Sequence, residues 1–172
     1  MILGMAPFTL IHVVISLIGI FSGFVVAFGL LTSKRLDGWT AIFLTTTVAT
    51  SVTGFLLPFH RLLPSHVLGV LSLLVLALAV FARYGRHLAG AWRRTYAITA
   101  MISLYLNMFV LVAQAFQKVP ALKAMAPTQS ESPFLVAQIA VLVLFVVLTI
   151  LAASKFRVEE VPPAPPVVAP AR

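Results

Sequence analysis

The side chains of this chain with the chemistry to bind something lie near the ends of long apolar runs. His12, His60 and His66, together with Glu131, offer imidazole and carboxylate. With no cysteine present, these are the remaining ligand types for haem iron, copper or zinc. His12 and His66 on separate helices would suit the two axial positions of a b-type haem, and Gln114 or Gln138 could hydrogen-bond a haem substituent or a quinone. A bare metal would draw instead on His12, His60, His66 and Glu131. The structural alternative is that these groups are solvated at a water–lipid boundary or satisfy one another. His87 sits among Arg83, Tyr84, Arg86, Trp92, Arg93, Arg94 and Tyr96, a basic and aromatic set that reads as an interfacial anchor.

The elements that must position these residues are five apolar stretches, at 9–31, 40–59, 67–82, 95–116 and 134–153, each reaching or approaching the roughly 20 residues that cross a bilayer as a helix. The sequence therefore predicts an all-α integral membrane bundle of five transmembrane helices over residues 1–157. Composition agrees: 61% of residues are hydrophobic and 9% charged, and the mean hydropathy is +1.09, whereas a soluble domain carries roughly 25% charged residues. In 172 residues, five spans leave no room for a separate soluble catalytic domain. Residues 158–172, rich in proline and alanine, are expected to form a disordered cytoplasmic tail.

Alternation of five spans sets the ends. Lys34, Arg35, Arg83, Arg86, Arg93, Arg94, Lys155 and Arg157 fall on one side, against Arg61, Lys118 and Lys123 on the other. The positive-inside rule then places the N-terminus outside and the C-terminus in the cytoplasm, with His12, His60, His66, Gln129 and Glu131 facing outward. A bacterial inner (plasma) membrane is the expected location. The first span lacks a basic leader and a small-residue cleavage site, so it is expected to be retained. The formal charge of +8 is explained by basic residues that border apolar spans and meet anionic lipid, rather than by nucleic-acid binding.

Two spans carry internal patterns. His12, Ser16, Gly19, Gly23 and Ala27 recur at steps of three and four, placing them along one face where Gly19 and Gly23 permit close helix approach. In the fourth span, Tyr96, Ala100, Ser103, Asn107, Val110, Gln114 and Gln117 form a polar seam. Asn107 lies near mid-span, where an unpaired amide costs several kcal/mol, so it should bond another helix or line a cavity. Span two is rich in hydroxyls, from Thr40 to Thr53, which can bond carbonyls one turn back. The connection from Lys118 to Pro133 is expected to double back over the outer surface of the bundle.

Neither CxxCH nor HExxH, a Gly-rich phosphate loop or a triad-like arrangement occurs. The strings Pro64–Ser65–His66, Trp92–Arg93 and Ala126–Pro127–Thr128–Gln129–Ser130–Glu131, with the span layout, resemble small uncharacterised bacterial inner-membrane proteins over about residues 8–155. A looser likeness, to cytochrome b561-type bundles, rests on helical spans with histidines near their ends. Those bundles pair histidines at both membrane faces, whereas here the histidines crowd one side. The leading expectation is a non-enzymatic accessory or assembly subunit that packs with itself or a larger membrane complex. The alternative is a redox protein binding b-type haem or quinone at the outer boundary. A small transporter lined by Ser103, Asn107 and Gln114 has the least support, because no acid or base stands at mid-depth to couple ions.

Overall fold

Long apolar runs in this chain are punctuated by proline and by residues that tolerate a left-handed backbone, and the computed structural model, which describes residues 7–56 and 64–157 with side chains omitted at 64–66, is helical between those marks. Helix α1 spans Pro7–Leu31, α2 Asp37–Phe55, α3 Pro64–Val80, α4 Trp92–Lys118, α5 Pro120–Met125 and α6 Ser132–Lys155. Pro7 and Pro120 stand in first turns, where a missing N–H costs nothing. α1 stops where Ser33 turns left-handed (φ 58°) and the Lys34 N–H reaches back to the Gly29 carbonyl at 2.8 Å, the long return bond of a Schellman-type end. No strand occurs among the described residues.

Four of these helices, with α3 extended to Gly85, are long and apolar enough to cross a membrane. α2 is not among them, although its 19 residues would reach about 28 Å at 1.5 Å per residue. Its shortfall is in hydropathy, because threonines occupy positions that leucine and valine fill in the others.

α1 packs along α2, α2 against α3, α3 against α4 and α4 along α6, and contacts of α6 with α1 close the ring. α1 also meets α4 across it. The core where they converge contains Val26, Leu30, Phe43, Leu76, Tyr96, Met101, Leu104 and Phe145. Gly23 is the tightest point: a Cβ there would stand 2.5 Å from Leu104 Cδ1 and 2.9 Å from Phe43 Cε2. The small-residue face of α1 is thus filled by α2 and α4 of the same chain.

The Lys118–Pro133 connection contains the short helix α5, and it is fastened to α4 by Gln129, whose Nε2 donates to the Ala113 carbonyl at 2.7 Å. The polar seam of α4 faces inward only over its first half: Tyr96, Ala100 and Ser103 are buried and Asn107 half-buried, but Val110, Gln114 and Gln117 are exposed. The cause is geometric. A repeat of three and four residues drifts about 20° per heptad on a straight helix, so it has turned about 60° between Tyr96 and Gln117.

Candidate functional site

The bundle has two ends with different chemistry. One, the histidine end, gathers the start of α1, the end of α2, the end of α4 and the start of α6. Here His12 Nδ1 lies 2.8 Å from Thr53 Oγ1. The Thr53 hydroxyl has a single proton and donates it to the Ala49 carbonyl at 2.7 Å, so its oxygen accepts from a protonated Nδ1. Neutral His12 therefore keeps an unprotonated Nε2, the nitrogen available to a metal or to a hydrogen-bond donor.

Most polar groups below His12 are bonded to one another or to their own helices. Ser51 of α2 donates to Ser72 of α3 at 3.1 Å, and the Asn107 amide donates to Thr47 at 3.3 Å, joining α4 to α2. Ser103 returns its proton to the Thr99 carbonyl at 2.9 Å and lines nothing open. Gln138 is buried on α6, and its Nε2 donates to the Phe109 carbonyl at 3.2 Å. Its Oε1 and the Thr50 hydroxyl are buried without a partner among the described residues. Gln114 is exposed and shares no hydrogen bond with His12 or Gln138 among the described residues.

Glu131 stands at the N-cap position of α6, and its carboxylate is held in the preceding turn rather than bonded to the helix. Thr128 Oγ1 donates to Glu131 Oε1 at 2.8 Å, and the amides of Thr128 and Ser130 also point at the carboxylate. Partial desolvation acts to raise its pKa, but the Thr128 hydroxyl and the backbone donors outweigh that effect and hold the carboxyl below its ordinary value. Among the described residues no three His, Asp or Glu side chains come together as a metal site. His60 and the His66 side chain lie outside the described residues, as does the 158–172 tail.

The opposite, basic end contains what sequence reasoning missed. α3 does not stop at Val80 but widens into a π turn, Phe81–Gly85, in which the Arg86 N–H bonds the Phe81 carbonyl at 2.9 Å. The wider turn brings both Ala82 and Arg83 to the interior. Arg83 is 3% exposed and is ion-paired with Asp37, the first residue of α2, which Arg35 also approaches at 3.7 Å. Its guanidinium stands 5.1 Å from the Tyr96 ring centre, and the Tyr96 hydroxyl donates to Thr40 at 3.3 Å. Arg83 and Tyr96 therefore leave the lipid-facing belt in which sequence places them. The available signal was Asp37: a lone acid beside a basic cluster needs a partner.

The belt itself persists outside this pair. Arg86 stacks over the Trp92 ring at 5.5 Å, and the same indole meets Phe81 edge-on at 5.3 Å. The end of α6 is stitched to the α1–α2 turn, where the Arg157 amide donates to Ser33 Oγ at 2.7 Å.

Comparison with protein-family models, with curated proteins and with solved structures finds no match to this chain. Fold and composition alone define its class: an all-helical, multi-pass membrane protein.

Proposed function

We propose that this chain is a five-span bacterial inner-membrane protein, N-terminus outside and C-terminus cytoplasmic, that serves as a non-enzymatic accessory or assembly subunit. α2 is the fifth span. Its length suits the roughly 30 Å hydrocarbon core, and several of its hydroxyls are matched within the helix, Thr46 to the Ile42 carbonyl at 2.7 Å and Thr53 to the Ala49 carbonyl at 2.7 Å. The chain has no native cysteine, so orientation is readable by single substitutions. Ser130→Cys is expected to react with an impermeant maleimide in intact cells and Ser33→Cys only after lysis; the reverse pattern overturns the topology.

The observation that carries the scaffold reading is the internal pairing of mid-bundle polar groups. Ser22, Thr47, Ser103 and Asn107 bond helix carbonyls or one another. What the bundle presents outward is apolar, above all α6. Such a chain joins helices rather than conducting or transforming a solute. Purified in mild detergent, it is expected to run as a discrete assembly containing more than one polypeptide and to show no Soret band. A single-copy particle carrying that band would overturn the reading.

The second reading, b-type haem or quinone at the histidine end, draws on one specific observation. The Thr53 bond leaves His12 Nε2 as an acceptor, and Gln138 Oε1 is buried unpaired at the same end. His12 and His66, or the set His12, His60, His66 and Glu131 for a bare metal, would supply the ligands. In that case His12→Ala abolishes the absorption band and His87→Ala spares it.

A further inference from the structure

The turn that follows the π segment is built in a way that the bundle itself does not require. Between Arg86 and the start of α4 the backbone turns left-handed at His87 (φ 50°), Leu88 (φ 61°) and Gly90 (φ 53°). For His87 and Leu88, which carry a Cβ, that conformation is strained. Leu88 gains burial in the core. The remainder of the turn borders a surface concavity of about 540 Å³, lined by residues 87–91 with Arg93 and Arg94.

Among the described residues, the ionisable side chains that line this concavity are His87, Arg93 and Arg94, and none is an acid. The two acids among the described residues are engaged elsewhere: Asp37 with Arg83 and Arg35, Glu131 within its own turn at the far end. Two sets of donors there lack acceptors. Arg93 is half-buried, and its Nε is buried with no hydrogen-bond partner among the described residues, leaving that donor without an acceptor. The amides of Gly90, Ala91 and Arg93 also make no hydrogen bond among the described residues, and they precede or begin the 27-residue helix α4, whose dipole is positive at this end.

A buried unpaired guanidinium nitrogen, a second arginine, an imidazole and free first-turn amides around one hollow are complementary to a tetrahedral oxyanion. We propose that the His87–Ala91 turn, with Arg93 and Arg94, binds a phosphate group, borne by an anionic lipid headgroup or free in solution. The neighbouring Arg86–Trp92 stack and the exposed rings of Phe81 and Tyr84 stand at the same end. They give a lipid phosphate an aromatic border of the kind found at headgroup depth. The site does not depend on which side of the membrane the basic end faces.

The test uses the full chain in a neutral detergent, with three probes: dihexanoyl phosphatidic acid, inorganic phosphate, and dihexanoylglycerol, which has the same chains and no phosphate. Binding is read by native mass spectrometry and by fluorescence of the adjacent Trp92. Saturable binding of the phosphatidic acid is expected, weakened at least tenfold in R93Q/R94Q and little changed in K155Q/R157Q, which removes the same charge from the same end. R94Q alone, at an exposed position, should weaken binding about threefold, and keeps the site testable should R93Q disturb folding. Phosphate binding as tightly as the lipid identifies a free-anion site; phosphate that only competes at higher concentration identifies a headgroup site. Equal binding of dihexanoylglycerol, equal loss in K155Q/R157Q, or no saturable binding would overturn the proposal.

Discussion

Helices α2 and α6 contrast in hydropathy and in what ties each of them to the bundle. α6 has the most apolar window, with a mean hydropathy of 3.0, yet only 11% of that window is buried by the rest of the chain. α2 falls short of span-like hydropathy and supplies partners to every large neighbour except α6: Phe43 to Gly23 of α1, Ser51 to Ser72 of α3, Thr47 and Thr40 to Asn107 and Tyr96 of α4. In water the more apolar helix would be the buried one. In lipid, hydrocarbon surrounds α6 at no cost, while close packing and hydrogen bonds tie α2 to its neighbours.

That contrast can be broken most severely at Gly23. Gly23→Leu forces the α1–α2–α4 junction apart, since even a Cβ meets Leu104 and Phe43 within 3 Å. A destabilisation of about 3 kcal/mol, at the upper range for overpacking, is expected in an SDS titration of the micelle-embedded protein. Asp37→Asn comes next, because it leaves Arg83 buried without its carboxylate. The side chain of Asp37 is itself 69% exposed, so water moderates the loss to about 1–2 kcal/mol, below what a fully buried pair would show. Recovery of that stability by Arg83→Met in the Asp37→Asn background would confirm that the unpaired cation is the cause.

Thr47→Val removes the acceptor of Asn107 and is expected to cost about 0.6 kcal/mol, the mean for interhelical hydrogen bonds in membranes. Leu144→Ala on the exposed face of α6 should alter monomer unfolding by less than about 0.5 kcal/mol. A loss as large as that of Asp37→Asn would mean that α6 is packed by more than lipid, and the same variant run on a sizing column would show whether a second polypeptide is released.

The smallest effect is pH-dependent. Glu131 is held ionised more firmly in the folded turn than in an unfolded chain, so its contribution is present above the ordinary carboxylate range and disappears as pH falls through its lowered folded-state value. Amide exchange at Ser130 and Phe134 is therefore expected to quicken on the acid side of that range in the wild type, and to be independent of pH-driven release in Glu131→Gln once corrected for intrinsic exchange.

The helices were legible because apolar runs near membrane length punctuated by proline leave the backbone one way to satisfy its own hydrogen bonds in lipid. The inward face of α1 was legible too, since steps of three and four residues put Ser16, Gly19, Gly23 and Ala27 in line whatever lies opposite. Arg83 was not. Its sequence neighbours, Tyr84 and Arg86, are exposed belt residues, and only the π turn, a departure from the ordinary helical period, rotates Arg83 inward toward Asp37. The outward turn of Gln114 was equally hidden, because a pattern of period three and four shows where a seam starts but not how far a straight helix carries it around.

Sequence alone determined that this chain is helical and apolar, with the long helices placed to within a few residues of their observed ends, and that its cations collect at one end. These follow from composition and local periodicity, which need no partner. Tertiary structure decided which polar residues are paired and which, among the described residues, remain available: Asn107 to Thr47, Arg83 to Asp37, His12 with Nε2 left open, Arg93 Nε buried without an acceptor. Pairing depends on distances between helices that are far apart in the chain, and no local rule along the sequence contains those distances.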